Sequence, residues 1–152
     1  MTWFPDLSPI VHFSAAKQSP LAVGWLSPEY PFSSGEISET VFEKLCQLLQ
    51  NPWCPIRAVG GHRCEFCRFT GGASSHYKGY TVTSYSLNSL YVPGNSVIYL
   101  APESIAHYID AHGYCPPEEF CSAVMKCPEM RSMPYLKAIL NNGGRGLETL
   151  SI

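Results

Sequence analysis

Between residues 38 and 49 the apolar positions Val41, Phe42, Leu45, Leu48 and Leu49 recur at three- and four-residue steps, the period of a helix with one buried face. Ser38 stands where an N-cap hydroxyl is wanted, Ile37 and Phe42 bracket it as a hydrophobic staple, and Asn51-Pro52 stops the run. Ahead of this helix the chain is irregular. Pro5, Pro9 and Pro20 interrupt it before a six-residue candidate strand, Leu21–Leu26, and Pro28 and Pro31 interrupt it afterwards.

From Ile56 to Leu100 the pattern changes to short runs of branched and aromatic residues. Ile56–Val59, Tyr80–Tyr85, Leu90–Val92 and Val97–Leu100 predict strands, with Pro93-Gly94-Asn95 turning the chain between the last two, so a small antiparallel sheet is expected. Gly71-Gly72-Ala73-Ser74-Ser75 reads as a connecting loop. The last third returns to helical spacing. Pro102 and Glu103 open one helix that Gly113 closes. Pro116-Pro117-Glu118-Glu119 opens a second, with Phe120, Val124 and Cys127 on one face and Pro128 after it. Ser132 caps a third, which carries Tyr135, Leu136, Ile139 and Leu140 and runs out at Asn141-Asn142-Gly143. The predicted class is α+β: a small antiparallel sheet packed with one early and three late short helices.

The length of 152 residues and the absence of any internal repeat point to a single domain, 1–152. Apolar residues make up 45% of the chain and charged residues 14%, against a usual charged share of about 25%, which excludes disorder and a coiled coil. The first twenty residues carry no basic start followed by an apolar stretch, and the longest run of apolar residues and glycine, Leu21–Leu26, is far short of the roughly 20 that span a bilayer. The expected location is the cytoplasm, with no membrane partner. Thiols stay reduced there, so clustered cysteines are expected to bind metal instead of pairing in disulfides.

The net charge of −2 divides into −2 for residues 1–60, +2 for 61–100 and −2 for 101–152. No block is strongly basic, and Arg57, Arg63, Arg68 and Lys78 form only a loose cationic group, so nucleic acid is demoted as a partner.

The sharpest chemical signal is His62-Arg63-Cys64-Glu65-Phe66-Cys67 after Gly60-Gly61. Two thiols three positions apart in a turn can aim both sulfurs at one ion about 2.3 Å away, the ordinary half-site of structural zinc. His107 and His112, with four residues between them, fit the spacing of a second half-site. On an ideal helix residues five apart point about 140° apart. Sharing an ion therefore requires a loosened last turn, which the helix end at Gly113 could supply. The stretch 68–106 between the half-sites exceeds the roughly 12 residues of a compact zinc finger, so the ion would pin sheet to helices. His62 is the main rival ligand, with His76 and Cys115 further outside choices. Glu65, Glu103, Asp110 and Glu119 are candidate hydrogen-bond partners of the histidines, or bases if only three ligands bind.

Cys46, Cys54, Cys121 and Cys127 sit on or beside apolar helix faces, where a free thiol packs as a small hydrophobe. The glycine-rich stretch Asn142–Gly146 holds one arginine and is expected to be a frayed terminus. Neither His-Glu-x-x-His nor the zinc-deaminase signature is present.

Trp3-Phe4-Pro5-Asp6-Leu7-Ser8-Pro9, Val23-Gly24-Trp25-Leu26, His62-x-Cys64-x-x-Cys67 and above all Ala101-Pro102-Glu103-x-Ile105-x-His107-Tyr108-Ile109-x-x-His112-x-Tyr114-x-Pro116-Pro117-x-Glu119-Phe120 resemble a group of small bacterial proteins with no established activity. The resemblance implies a bacterial, cytoplasmic, zinc-binding protein, and implies no reaction. A closed Cys2His2 shell leaves zinc chemically silent. Together with nineteen aromatic residues, a class that anchors interfaces, it predicts a non-enzymatic zinc-binding protein-interaction module with a protein partner, such as a toxin or a defence component, that it would bind in an immunity role. The alternative is a zinc-dependent hydrolase or nuclease using an open three-ligand site. The third is a weak nucleic-acid binder.

Overall fold

The computed structural model describes residues 3–11, 18–55, 62–67 and 74–147. The predicted strand Ile56–Val59, Arg57, Arg68 and the glycines at 60, 61, 71 and 72 lie outside the described residues. Elements follow in the order β1 (Leu21–Ala22), α1 (Glu39–Leu48), β2 (His62–Arg63), β3 (Ser74–Tyr77), β4 (Tyr80–Thr83), β5 (Tyr85–Ser86), β6 (Ser89–Pro93) and β7 (Ile98–Pro102). Three helices close the chain: α2 (Ile105–His112), α3 (Glu118–Lys126) and α4 (Met133–Asn141). The architecture is α+β, with the one early and three late helices expected.

The strands form three small sheets: β1-β7-β6, β2-β5 and β3-β4. β6 and β7 are antiparallel around the Pro93-Gly94-Asn95 turn, whereas β1 runs parallel to β7. This hairpin is buried along nearly its whole length, because β1 flanks it and α3 and α4 pack on β6. The predicted six-residue strand at Leu21 shortens to two: Gly24, at φ +81, turns the chain, and Trp25 sends its indole N–H to the Leu100 carbonyl at 2.8 Å. Pro102 ends β7 opposite Ser89 instead of opening a helix, and α2 starts after Ser104, whose hydroxyl bonds Ser86 at 2.8 Å.

β3 and β4 are joined by Lys78-Gly79, both at positive φ (48° and 84°), the two-residue turn whose twist suits a hairpin. Lys78 is held in it by Glu39 at 2.9 Å and Glu43 at 3.3 Å on α1. On the outer edge of β4, the Gln50 side-chain amide donates to the Thr81 carbonyl at 3.0 Å and accepts the Thr81 N–H at 3.1 Å.

Helix boundaries follow the caps. The Ser38 hydroxyl accepts the Val41 N–H, the Ser132 hydroxyl accepts the Tyr135 N–H, and Gly113 ends α2 in the left-handed region. The core is aromatic: Tyr91, Tyr108, Tyr114, Tyr135 and Phe120 are all fully buried. Asn142–Gly146 is not frayed as expected, since the Gly144 N–H bonds the Ile139 carbonyl at 2.8 Å and Leu147 beyond it is buried. Among the described residues no helix is long and apolar enough to cross a membrane.

Candidate metal centre

The thiolate turn is hung from β2. Arg63 pairs with Tyr85 of β5 and the Cys64 N–H donates to the Ser84 carbonyl at 3.0 Å, which fixes where the turn begins. Within it the Phe66 and Cys67 amides donate to the Cys64 sulfur, an arrangement that favours the thiolate and opposes the effect of burial. Burial wins in the metal-free chain and pushes the Cys64 thiol above its ordinary value. Phe66, between the two cysteines, rests against the His112 ring at 5.3 Å and meets Tyr108 edge-on at 6.0 Å, so its packing seats the turn on α2.

α2 solves the angular problem at its end. The Gly113 N–H reaches the Tyr108 carbonyl five residues back, one residue wider than an α-turn, and the Tyr114 N–H reaches the same oxygen at 3.2 Å. A wider turn brings side chains five apart toward one face, and the His107 and His112 ring centroids stand 5.0 Å apart.

The four side chains converge. Cys64, Cys67, His107 and His112 offer ligand atoms that all lie within 4.8 Å of one another. His112 Nε2 is 3.3 Å from Cys64 Sγ and 3.5 Å from Cys67 Sγ, and His107 Nε2 is 3.2 Å from Cys67 Sγ. A tetrahedral ion with ordinary Zn–S and Zn–N bonds would set S···N at about 3.6 Å, so the donor set fits a small divalent cation with little adjustment. Burial lowers the pKa of His107, with a contribution from His112, and burial lowers that of His112, so both imidazoles favour the neutral form that ligates. Cys64 is buried and Cys67 lies at the surface.

Other candidates fall elsewhere. His62 pairs with Ser86 and His76 with Thr81 in their sheets, and neither belongs to the cluster. Cys115 packs against Gly35. The Glu103 carboxylate accepts the Leu87 and Asn88 N–H groups and so braces a loop instead of a histidine. Glu119 lines a separate cleft on α3, and Asp110 acts on His107 through its charge. Cys46 and Cys127 are buried and Cys54 and Cys121 half-buried, and the Cys54 sulfur accepts the Ser89 N–H at 3.4 Å. Lys78 is neutralised by two glutamates, which weakens the cationic group further. Phe66 belongs to the site as well, although no ligand spacing singles it out. An aromatic residue between two cysteines facing an amphipathic helix was the available signal.

A family model described as a domain of unknown function, DUF7919, matches residues 2–125, a span that contains all four clustered residues. Neither the curated proteins nor the solved structures hold a match to this chain.

Proposed function

The chain belongs to the DUF7919 family, and from that premise we propose that it is a zinc-stabilised, non-enzymatic protein-interaction domain spanning 1–152. The convergence of Cys64, Cys67, His107 and His112 on one point carries the reading. Bound zinc would supply structural cross-linking there: two thiolates and two imidazoles complete a tetrahedron and leave no position for an activated water. Phe66, Tyr108 and Phe32 pack against the inner side of the thiolate turn, and a turn seated on aromatic rings suits a structural site.

The interaction role draws on the surface. Tyr30 is 43% exposed and stacks on Trp3 with centroids 3.8 Å apart, the kind of rigid aromatic pair that anchors a protein interface. The partner would be another protein, such as a toxin or a defence component.

Elemental analysis of the purified protein tests the metal reading, with one zinc per chain expected and Cys64→Ser or His107→Ala losing it. A preparation free of transition metal sinks it. X-ray absorption should report two sulfur and two nitrogen neighbours, whereas an oxygen in the shell would favour a hydrolase or nuclease. Cross-linking from a photoreactive residue at exposed Glu29, beside the pair, should capture a protein in the native host, and capture that survives Trp3→Ala with Tyr30→Ala, or none at all, argues against the interaction role.

A further inference from the structure

A cleft of about 550 Å³ opens between α3, α4 and the turn joining β6 to β7. It shares no residue with the metal cluster. α3 turns Glu119, Ser122, Ala123 and Lys126 toward it, spaced three, four and seven along one helix face. Seven residues bring Glu119 and Lys126 almost into line, about 10 Å apart along the axis. Among the described residues neither takes part in an ion pair. The cleft therefore has an uncompensated carboxylate toward one end and an uncompensated ammonium toward the other.

Tyr99 lines the same cleft within reach of the Glu119 charge, 6% exposed and fixed in place. Phe120 meets its ring edge-on at 5.9 Å, and on the other side a Cβ at Gly94 would fall 2.6 Å from Tyr99 Cε2, so only glycine leaves room. Among the described residues the Tyr99 hydroxyl has no hydrogen-bond partner. Burial, with the Glu119 charge, pushes the phenol above its ordinary value, which keeps it a donor. The ring is buried but the hydroxyl itself reaches the solvent of the cleft, where it is free to donate to a ligand. Ala123 and Ala138 add small apolar side chains to the lining, and Asn95 and Asn142 add polar ones.

The complement of this arrangement has an ammonium at one end, a carboxylate at the other and carbonyl acceptors between. An extended peptide advances about 3.3–3.6 Å per residue, so three residues bridge the two charges. We propose that the cleft binds a short zwitterionic peptide of about three residues, its amino end at Glu119, its carboxylate at Lys126 and a backbone carbonyl accepting from the Tyr99 hydroxyl.

Trialanine is the probe, titrated into the full-length metal-loaded protein and followed by NMR at the Tyr99 ring and the Ala123 methyl. Saturable shifts at both are expected, with N-acetyl-trialanine and trialanine amide each about tenfold weaker or worse, since each loses a charge-assisted bond. Glu119→Gln should abolish the preference for a free amino end, and Lys126→Met the preference for a free carboxylate. Both positions are exposed, so the fold should survive, and an unchanged metal content checks it. Tyr99→Phe should weaken trialanine and leave both preferences in place. Absence of saturable binding at millimolar trialanine, indifference to blocking both ends, or binding unaltered by Glu119→Gln and Lys126→Met overturns the proposal. Any of these results leaves the metal reading untouched, because the two sites have no residue in common.

Discussion

Two neighbouring tyrosines carry opposite expectations. The Tyr135 hydroxyl donates to the Tyr91 carbonyl at 2.6 Å inside the core, so Tyr135→Phe should cost about 1 kcal/mol in urea unfolding. The Tyr91 hydroxyl is buried with no hydrogen-bond partner among the described residues, and Tyr91→Phe removes a stranded group without opening a cavity. That variant should be neutral or gain about 1 kcal/mol. A loss as large as that of Tyr135→Phe would mean that the Tyr91 hydroxyl has a partner after all. Neither role was readable beforehand, because the sequence marks a tyrosine as core by its spacing but gives no address for its hydroxyl. Cys64 and Cys67 were readable because their partners in the turn are local.

At the scale of elements, caps and breakers carried the reading. Ser38, Ser132, Gly113 and Pro128 act within a turn of their own positions, and the helices end where they indicate. Strand partners are set at a distance, and there the pattern was weaker. The stretch expected as a loop at Ser74-Ser75 belongs to β3, because Lys78-Gly79 makes a tight hairpin with no Asn-Gly signature and α1 supplies the glutamates that hold it. Likewise, β1 lies parallel to a strand some 75 residues on, which no local pattern announces. The wide last turn of α2 depends on Gly113 at φ +68 with open space around its Cα. Gly113→Ala should therefore cost about 1 kcal/mol through backbone strain alone. It should also weaken cobalt binding, seen as reduced thiolate-to-metal absorption, because His112 would swing off the shared face. Strain without any change in that absorption would separate the turn from the site.

At the scale of the whole molecule, the proposed ion ties a turn on β2 to α2 across more than forty residues of chain, so chelation should lower the melting temperature of the entire fold in one transition. A chelated protein that melts as before contradicts this. The metal-free chain has its own pH profile. His107 and His112 lie below their ordinary 6.5, so on acidification the unfolded chain takes up protons first. Stability from this source is full above that value and declines as pH falls through it. In alkali the sign reverses. Burial raises Cys46 to about 12 and Cys121 and Cys127 to about 11, so the unfolded chain sheds its thiol protons first and stability falls as pH climbs past the ordinary 9.0. Melts across pH should trace a plateau bounded on both sides, and a flat acid limb would remove the histidines from the account. Outside the four clustered side chains, Gln50 bears on how the molecule would meet copies of itself. The rim of β4 would otherwise present bare peptide groups as a template for a stranger's strand, and one glutamine imitates the missing neighbour just long enough to close it. Gln50→Ala should therefore lower solubility at high concentration, through a side chain that belongs to neither the metal cluster nor the cleft.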